Sequence, residues 1–326
     1  MPESGPILHA DILSGPSRGR APRGSAEISA ALHDDDLAWL HLDADHPEVD
    51  DWIDRHLSWL DPAIRDALTE PQTRPRMLHL GQGVLLILRG INSAHGADPE
   101  DMVSVRLYAD PARVVSLSRR PLAAIEELHA RAMAGQAPDR SGGFVAELVE
   151  RLTDRIEVQV ADLEERADGL EARVIARERG ELRGEIAEQR LELTDLRQFL
   201  TPQREALRDL VRRPLGWLTE GDDRRLGEQL DQLTRVTETL EAMREQLQTI
   251  RDEVEGARAE RLNRNLYVLS VISAVFLPLG FLTGLMGINL DGMPGAGWDP
   301  AFWTFTLALV VLGGAVLGVL RWFDIL

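Results

Sequence analysis

Residues 265–290 read NLYVLSVISAVFLPLGFLTGLMGINL and contain no charged side chain. A second uncharged run, AFWTFTLALVVLGGAVLGVL, covers residues 301–320. A helix needs roughly 20 apolar residues to cross the hydrocarbon core of a bilayer, so each run is long enough to span it. The short connection between them forces a hairpin. The sequence therefore predicts a first transmembrane helix over 265–288, a loop over 289–300 and a second transmembrane helix over 301–320.

Charge separates this hairpin from the rest of the chain. The protein has a formal net charge of -18 and no cysteine. Residues 261–326 are neutral overall, because Arg261, Arg264 and Arg321 balance Asp291, Asp299 and Asp324. The first 260 residues therefore hold the acidic excess, which argues against nucleic acid as a partner and favours cations nearby. Without cysteine, disulfides, thiolate zinc sites and cysteine nucleophiles are excluded.

The basic residues that flank the two runs predict the membrane topology. Arginines precede the first run and follow the second, whereas the connecting loop has none. By the positive-inside tendency both termini are cytoplasmic, including the tail 321–326, and the loop 289–300 is external. We expect a multi-pass protein of a bacterial-type inner (plasma) membrane. Residues 1–27 lack a continuous apolar core, so they predict a mobile N-terminal tail rather than a signal peptide.

The part before the membrane hairpin predicts an α+β cytoplasmic domain with long stalk helices. Residues 28–140 read as a small α/β domain whose sheet contains antiparallel hairpins. Its expected helices are 47–57 and 61–68, with Asp61 as N-cap before Pro62. Its expected strands are 40–42, 84–88, 103–107 and 114–117.

Residues 141–220 predict long cytoplasmic helices, and residues 221–264 predict a stalk helix that continues into the first span. No proline or glycine pair interrupts this stretch, so one helix could run from about Asp222 to Met286. Apolar residues recur along this helix at steps of three and four and form a seam, namely Leu233, Val236, Leu240, Met243, Leu247, Ile250, Val254 and Ala257. Two interpretations of this apolar seam stay open: packing against partner helices, or an amphipathic core helix within one chain.

One stripe of the first span combines the small or hydroxylated residues Ser270, Ser273, Gly280 and Gly284 with Leu266 and Leu277. Small residues allow close helix packing, which is one explanation for the stripe. Two spans cannot enclose an aqueous path, so the hairpin either anchors the chain or assembles with copies around an axis. In the second case Asn289, at the end of the span, could accept hydrogen bonds from the water shell of a cation.

The chain resembles the CorA family of divalent-cation transporters, and within it the ZntB branch. The resemblance covers nearly the whole chain and is sharpest over about residues 260–326. The segments that resemble the family are 261–264 (RLNR), 275–278 (VFLP), 281–284 (FLTG), 287–289 (GIN) and 292–295 (GMPG). The family hallmark is Gly-Met-Asn, whereas isoleucine stands in the middle here, as it often does in ZntB-like members. Magnesium-type members have Met-Pro-Glu in the loop, and Gly295 replaces that glutamate, which favours zinc.

The resemblance implies a CorA-like funnel of five identical subunits, a homopentamer, with the first span lining a central pore. Gly287, Ile288 and Asn289 would form the external selectivity entrance, where Asn289 holds a hydrated cation. The pore-lining residues it implies are Asn263, Leu266, Ser270, Ser273, Leu277, Gly280 and Gly284. A divalent cation, zinc in preference, would be the transported substrate, with protons as a possible second partner and a possible regulatory cation. Membrane lipid is a further partner, and neither a cofactor nor an enzymatic reaction is expected.

The sequence leaves two alternative functions open. A magnesium- or cobalt-transporting CorA-type channel is the first alternative, and a membrane-anchored coiled-coil scaffold or sensor is the second. His41, Asp43 and His46 suggest a zinc site in the soluble part, but His46 lies beyond the strand that carries the other two. An ordinary surface or core histidine is therefore favoured there.

Overall fold

The computed structural model describes residues 5–71, 73–92, 102–176, 182–288 and 297–322. They belong to two compact units, Met1–Arg251 and Asp252–Leu326. The strands are β1 Ile7–Ile12, β2 Ala38–Asp43, β3 Arg76–Leu80, β4 Gly83–Gly90, β5 Val103–Ala109 and β6 Arg113–Ser118. The helices are α1 Gly24–His33, α2 Val49–His56, α3 Pro62–Thr69, α4 Ala123–Met133, α5 Ser141–Ile175, α6 Leu182–Arg212, α7 Glu220–Met286 and α8 Ala301–Trp322.

The sheet of the first unit has six strands in the order β1-β2-β6-β5-β4-β3. Neighbouring strands are antiparallel except β2 and β6, which are parallel. The predicted hairpins are confirmed, and each predicted strand lies within β2, β4, β5 or β6. Strand β4 is buried over residues 83–88, in agreement with its continuous apolar run over residues 84–88.

The two edge strands are absent from the predictions. Strand β3 is mostly exposed, and β1 alternates apolar residues with His9 and Asp11. Neither carries the apolar run by which a strand is recognised. The prediction of a mobile tail over residues 1–27 is wrong for the residues that form β1 and the start of α1. Backbone pairing with β2 holds β1 in the sheet, and such pairing leaves no hydropathy signal.

Helices cover both faces of the sheet. On one face, apolar residues of α1, α2 and α3 pack on the strands in a core that includes Trp52, Leu85 and Leu117. On the other face Trp39 of β2 packs on Phe144 of α5, with ring centroids 4.9 Å apart. The predicted cap of α3 is confirmed, because the Asp61 carboxylate accepts a hydrogen bond of 2.8 Å from the Ala63 N–H.

Polar contacts align the three long helices. In α7 the Gln232 amide donates to Asp154 and Glu157 of α5. Fourteen residues further along both helices, the Gln246 amide donates to Asp168 and Glu171. Because the contacts advance in the same direction on both helices, α5 and α7 run parallel. A step of 14 residues is two heptads, so the same helix faces meet again at each repeat. Helix α6 is antiparallel to both: Arg166 pairs with Glu192, and Arg197 pairs with Glu241.

Burial along α7 decides between the two interpretations of its apolar seam. Leu233, Val236, Leu240, Met243, Leu247 and Ile250 are all buried within the chain. Beyond them Val254 is half-buried and Ala257 is exposed. The first six positions of the seam are therefore core residues of one chain. The single helix predicted from about Asp222 to Met286 is confirmed as Glu220–Met286.

The Gln246→Glu substitution tests the polar alignment of α5 and α7. It replaces the amide donor with a third carboxylate beside Asp168 and Glu171, so repulsion should lower stability by about 0.5–1 kcal/mol at pH 7.5. The thermal unfolding midpoint of the full-length protein in detergent measures the change. The deficit should shrink as the pH falls towards 4, because protonation removes the added charge. Gln198→Glu, at an exposed position of α6, is the control. An equal loss of stability in this variant would contradict the role of Gln246 in aligning α5 and α7.

Candidate functional site in the first membrane span

Two helices of the described residues are long and apolar enough to cross a membrane, α7 through its C-terminal part and α8. In a soluble protein such helices would lie in the core. Here no residue of the apolar segment of α7 is buried within the chain, and only 6% of the apolar segment of α8 is buried. Their apolar surfaces therefore need a solvent other than water, which a bilayer supplies.

The predicted pore-lining residues lie together on one stripe of α7. Successive residues advance about 100° around a helix, so positions three or four apart stay on one side. Asn263, Leu266, Ser270, Ser273, Leu277, Gly280 and Gly284 all follow this spacing, and all seven are exposed in the single chain. Leu277 is 77% exposed. A surface concavity of about 870 Å³ includes Ser273, Leu277 and Gly280 in its lining.

The second span packs on the opposite side of α7. Residues of intermediate exposure in the first span are Val271, Val275, Pro278, Leu279 and Leu282, roughly half a turn from the stripe. Leu279 marks the contact, because a Cβ on Gly313 of α8 would lie 3.5 Å from its Cδ1. Gly313 is also the one described residue of α8 that is buried. The stripe is thus left uncovered by α8.

The hydroxyl groups of the stripe bond to the helix itself. Ser270 donates to the Leu266 carbonyl and Ser273 to the Leu269 carbonyl, each at 2.8 Å. A serine oxygen that donates its hydrogen in this way keeps lone pairs that accept hydrogen bonds. The two serines therefore present acceptors along a face that is otherwise apolar.

The helix ends at the predicted entrance. The Gly287 N–H donates to the carbonyls of Thr283 at 3.0 Å and Gly284 at 3.1 Å, which closes the last turn. Ile288 follows and is 45% exposed. Asn289 lies outside the described residues, as does most of the predicted loop 289–300. Pro278 sits inside α7 without ending it, although proline removes one backbone donor.

The soluble unit supplies no competing metal centre within its described ranges, where no group of three or more His, Asp or Glu side chains could hold an ion. His41 is buried, and its ring nitrogens contact the hydroxyls of Ser116 at 2.8 Å and Ser118 at 3.2 Å. This agrees with the favoured interpretation of His41 as a core histidine.

Sequence reasoning did not identify the Leu279–Gly313 contact that orients the stripe. The adjacent glycines of α8, Gly313 and Gly314, were a signal for close helix approach. The sequence around these two glycines does not tell them apart. They differ only in that Gly313 faces α7 and Gly314 does not.

The two glycines form a matched pair for testing the orientation. Gly313→Leu should push the spans apart and lower the thermal midpoint of the full-length protein in detergent, because Leu279 occupies the space that the new side chain needs. Gly314→Leu should have a much smaller effect, since no atom lies within 4 Å of a Cβ there. Equal losses in both variants would contradict this packing.

Comparisons with known proteins match this architecture over nearly the whole chain. The chain is 37% identical over 325 residues to the divalent cation transporter CmaX of Pseudomonas aeruginosa, covering 97% of this chain and 96% of that one. It is 35% identical over 309 residues to the zinc transport protein ZntB of Pectobacterium atrosepticum, covering 95% and 93%.

A structure of the full-length CmaX protein superimposes with a TM-score of 0.83 at 35% sequence identity, covering 98% of this chain and 99% of that chain. The family model described as CorA-like Mg²⁺ transporter protein matches residues 34–323. The resemblance in the membrane segments and the fold of the soluble unit therefore lead to one conclusion: the chain belongs to the CorA-like transporter family.

Proposed function

We propose that this protein transports divalent cations across the inner membrane, with zinc as the preferred substrate, along a path lined by the stripe of the first span. The observation that carries the proposal is the orientation of α7. Its stripe from Asn263 to Gly284 is exposed in the single chain, while α8 packs on the other side at Leu279. A span that served only as an anchor would have no reason to keep small and hydroxylated residues on its uncovered face.

The chemistry of the stripe suits a cation that keeps its water shell. Water bound to a cation turns its hydrogens outward, so the lining must accept hydrogen bonds. Ser270 and Ser273 have their own hydrogens engaged by backbone carbonyls and can accept from such water. At the external end Gly287, Ile288 and Asn289 would form the selectivity entrance, where the Asn289 carboxamide oxygen accepts in the same way.

The apolar positions of the stripe would control the flow. Rings of Leu266 and Leu277 from several subunits would close the path by dewetting when they approach one another. The first span has no Asp, Glu, Lys, Arg or His between Arg264 and Asp291, so no charged side chain there would trap the ion. The electrochemical gradient would drive the flux, without covalent catalysis.

Assembly is part of this proposal because one α7 cannot surround a path. We infer a homopentamer in which α7 of each subunit lines the axis and α8 lies outside it, with both termini in the cytoplasm. Arg261 and Arg264 are exposed. Anionic lipid headgroups are suitable partners for them at the cytoplasmic surface.

Zinc is preferred over magnesium on two grounds. The loop has Gly295 where magnesium-type members carry a glutamate, and Ile288 replaces the methionine of the family hallmark. Relatives at 35% identity are named zinc transport proteins, while another at 37% carries the broader name of divalent cation transporter.

Asn289→Ala tests the entrance. Removal of the acceptor should lower zinc flux into liposomes at least about tenfold, because every subunit loses one hydrogen bond to the hydrated ion. Asn265→Ala, the same change at an asparagine outside the stripe, should keep wild-type flux. Native mass spectrometry must give the same subunit number for both variants. Wild-type flux in an assembled Asn289→Ala variant would contradict the proposed entrance.

Flux of zinc and magnesium in liposomes that contain the purified protein tests the substrate. Zinc flux should exceed magnesium flux at equal concentrations, and repeating the assay under a pH gradient tests whether protons are linked to transport. Dominant magnesium flux would assign the protein to the magnesium-type branch despite Gly295. If intact oligomers carried neither ion, a membrane-anchored scaffold or sensor would be the better description.

A further inference from the structure

A buried carboxylate connects the starts of the two parallel helices α5 and α7 in the first unit. Arg140 precedes α5, Thr219 precedes α7, and Asp222 lies in the first turn of α7. The side chain of Asp222 contacts both Arg140 and Thr219. Asp222 is only 3% exposed, and charged residues are almost never buried to this extent unless they are paired. The partners of this carboxylate therefore show what it holds together.

On its own helix Asp222 forms a reciprocal cap with Thr219. The Thr219 N–H and hydroxyl donate to Asp222 Oδ2 at 3.0 Å and 2.7 Å, and the Asp222 N–H donates to the Thr219 hydroxyl oxygen at 3.3 Å. The Thr219 carbonyl accepts the first helical hydrogen bond, from the Asp223 N–H at 2.9 Å. Thr219 is thus the cap position of α7, and the exchange of hydrogen bonds with Asp222 satisfies two N-terminal donors.

The same carboxylate also contacts the start of α5. Arg140 Nη1 donates to Asp222 Oδ2 at 3.1 Å. A Cβ on Gly142 would lie 2.6 Å from Oδ2, and a Cβ on Gly143 would lie 3.8 Å from Oδ1. The absence of a side chain at Gly142 therefore leaves the space that the carboxylate occupies against the first turn of α5.

The start of α5 has no compensating negative charge of its own. Its first turn contains no acidic residue, and within the described residues the side chain of its N-cap residue, Arg140, makes no capping hydrogen bond. The N-terminal end of a helix carries a partial positive charge, which a nearby carboxylate stabilises. Asp222, 82 residues after Arg140, supplies that carboxylate from another helix.

Both helix starts are also attached to the sheet. Phe144, in the first turn of α5, packs on Trp39 of β2. Trp217, just before α7, donates from its Nε1 to the Gln82 carbonyl at 2.9 Å, in the turn between β3 and β4. The carboxylate of Asp222 therefore lies where the sheet meets the two long helices.

We propose that Asp222 joins the starts of α5 and α7 into one cooperative unit, so that the first turns of both helices are ordered together and open together. Loss of its carboxylate removes the cap of α7. In the same event Arg140 loses its partner, and the first turn of α5 loses the neighbouring negative charge. Proteins open locally in such contiguous units rather than residue by residue. Helix α7 carries the stripe, but the cooperative unit does not depend on cation transport, since it is a property of the contacts at the helix starts.

Hydrogen exchange of the full-length protein in detergent, measured by mass spectrometry at one pH, tests the unit. Asp222→Ala should accelerate exchange at least about fivefold in peptides covering residues 144–148 of α5 and 223–227 of α7, because each start loses a hydrogen bond or a compensating charge. Thr219→Val removes the cap of α7 but leaves the carboxylate beside α5. It should accelerate exchange over 223–227 and leave 144–148 close to the wild-type rate.

The reciprocal change starts from α5, since a coupling between two sites acts equally in both directions. Gly142→Ala places a Cβ where Asp222 Oδ2 lies, so exchange over residues 223–227 of α7 should accelerate. Gly169→Ala is the matched control in the same helix, because no atom lies within 4 Å of a Cβ there. Exchange at the start of α7 should be unchanged in this control.

Asp223→Ala is the control for charge, since it removes an exposed carboxylate from the same turn of α7. It should leave the start of α5 unchanged. The proposal is overturned if Asp222→Ala accelerates exchange in α7 but not over residues 144–148. It is also overturned if exchange in β5 accelerates by the same factor, since that result means a global loss of stability. Should Asp222→Ala fail to fold, the nearly isosteric Asp222→Asn is read by the same two criteria.

Discussion

The constraint on which the membrane part depends is that lipid offers no hydrogen bonds to a polypeptide backbone. A segment of about 20 residues in the bilayer must satisfy its own amides, so α7 has to remain helical through its apolar part. The same requirement applies to the hydroxyls of Ser270 and Ser273, which donate to backbone carbonyls one turn earlier. What remains for any passing ion is a set of oxygen lone pairs on an uncharged surface.

The soluble unit is subject to a different constraint, because its long charged helices must pack together in water. Apolar seam residues of α7 supply the burial up to Ile250, and polar contacts set the register. Gln232 and Gln246 each donate to two carboxylates of α5 at positions two heptads apart. A neutral donor between two acids limits the repulsion that an acidic chain would otherwise build up along this interface. The contact of β1 with α4 is the opposite case, since the Asp11 side chain is buried beside His129 and its Oδ1 has no hydrogen-bond partner among the described residues.

Much of this architecture could be predicted before the structure. Uncharged runs located both spans, and stretches rich in valine and leucine located the inner strands β4, β5 and β6. Strand β1 could not be found in this way, because an edge strand with His9 and Asp11 on one face has no continuous apolar pattern. The cluster that these residues form with His129 brings together positions 118 and 120 residues apart, by way of β1 and α4. The entrance Gly287-Ile288-Asn289 rests on sequence resemblance.

The sequence by itself determined that the chain enters a membrane, that its soluble part is acidic, and which residues share one stripe of the first span. These properties depend on amino-acid composition and on the spacing of residues along a helix. Both can be read from a segment of sequence without knowing its tertiary contacts. Only the tertiary structure decided which side of α7 is covered, because that depends on Leu279 meeting Gly313 rather than Gly314. It also decided that the seam up to Ile250 is buried within one chain, since a heptad pattern states that a face is apolar but not what lies against it.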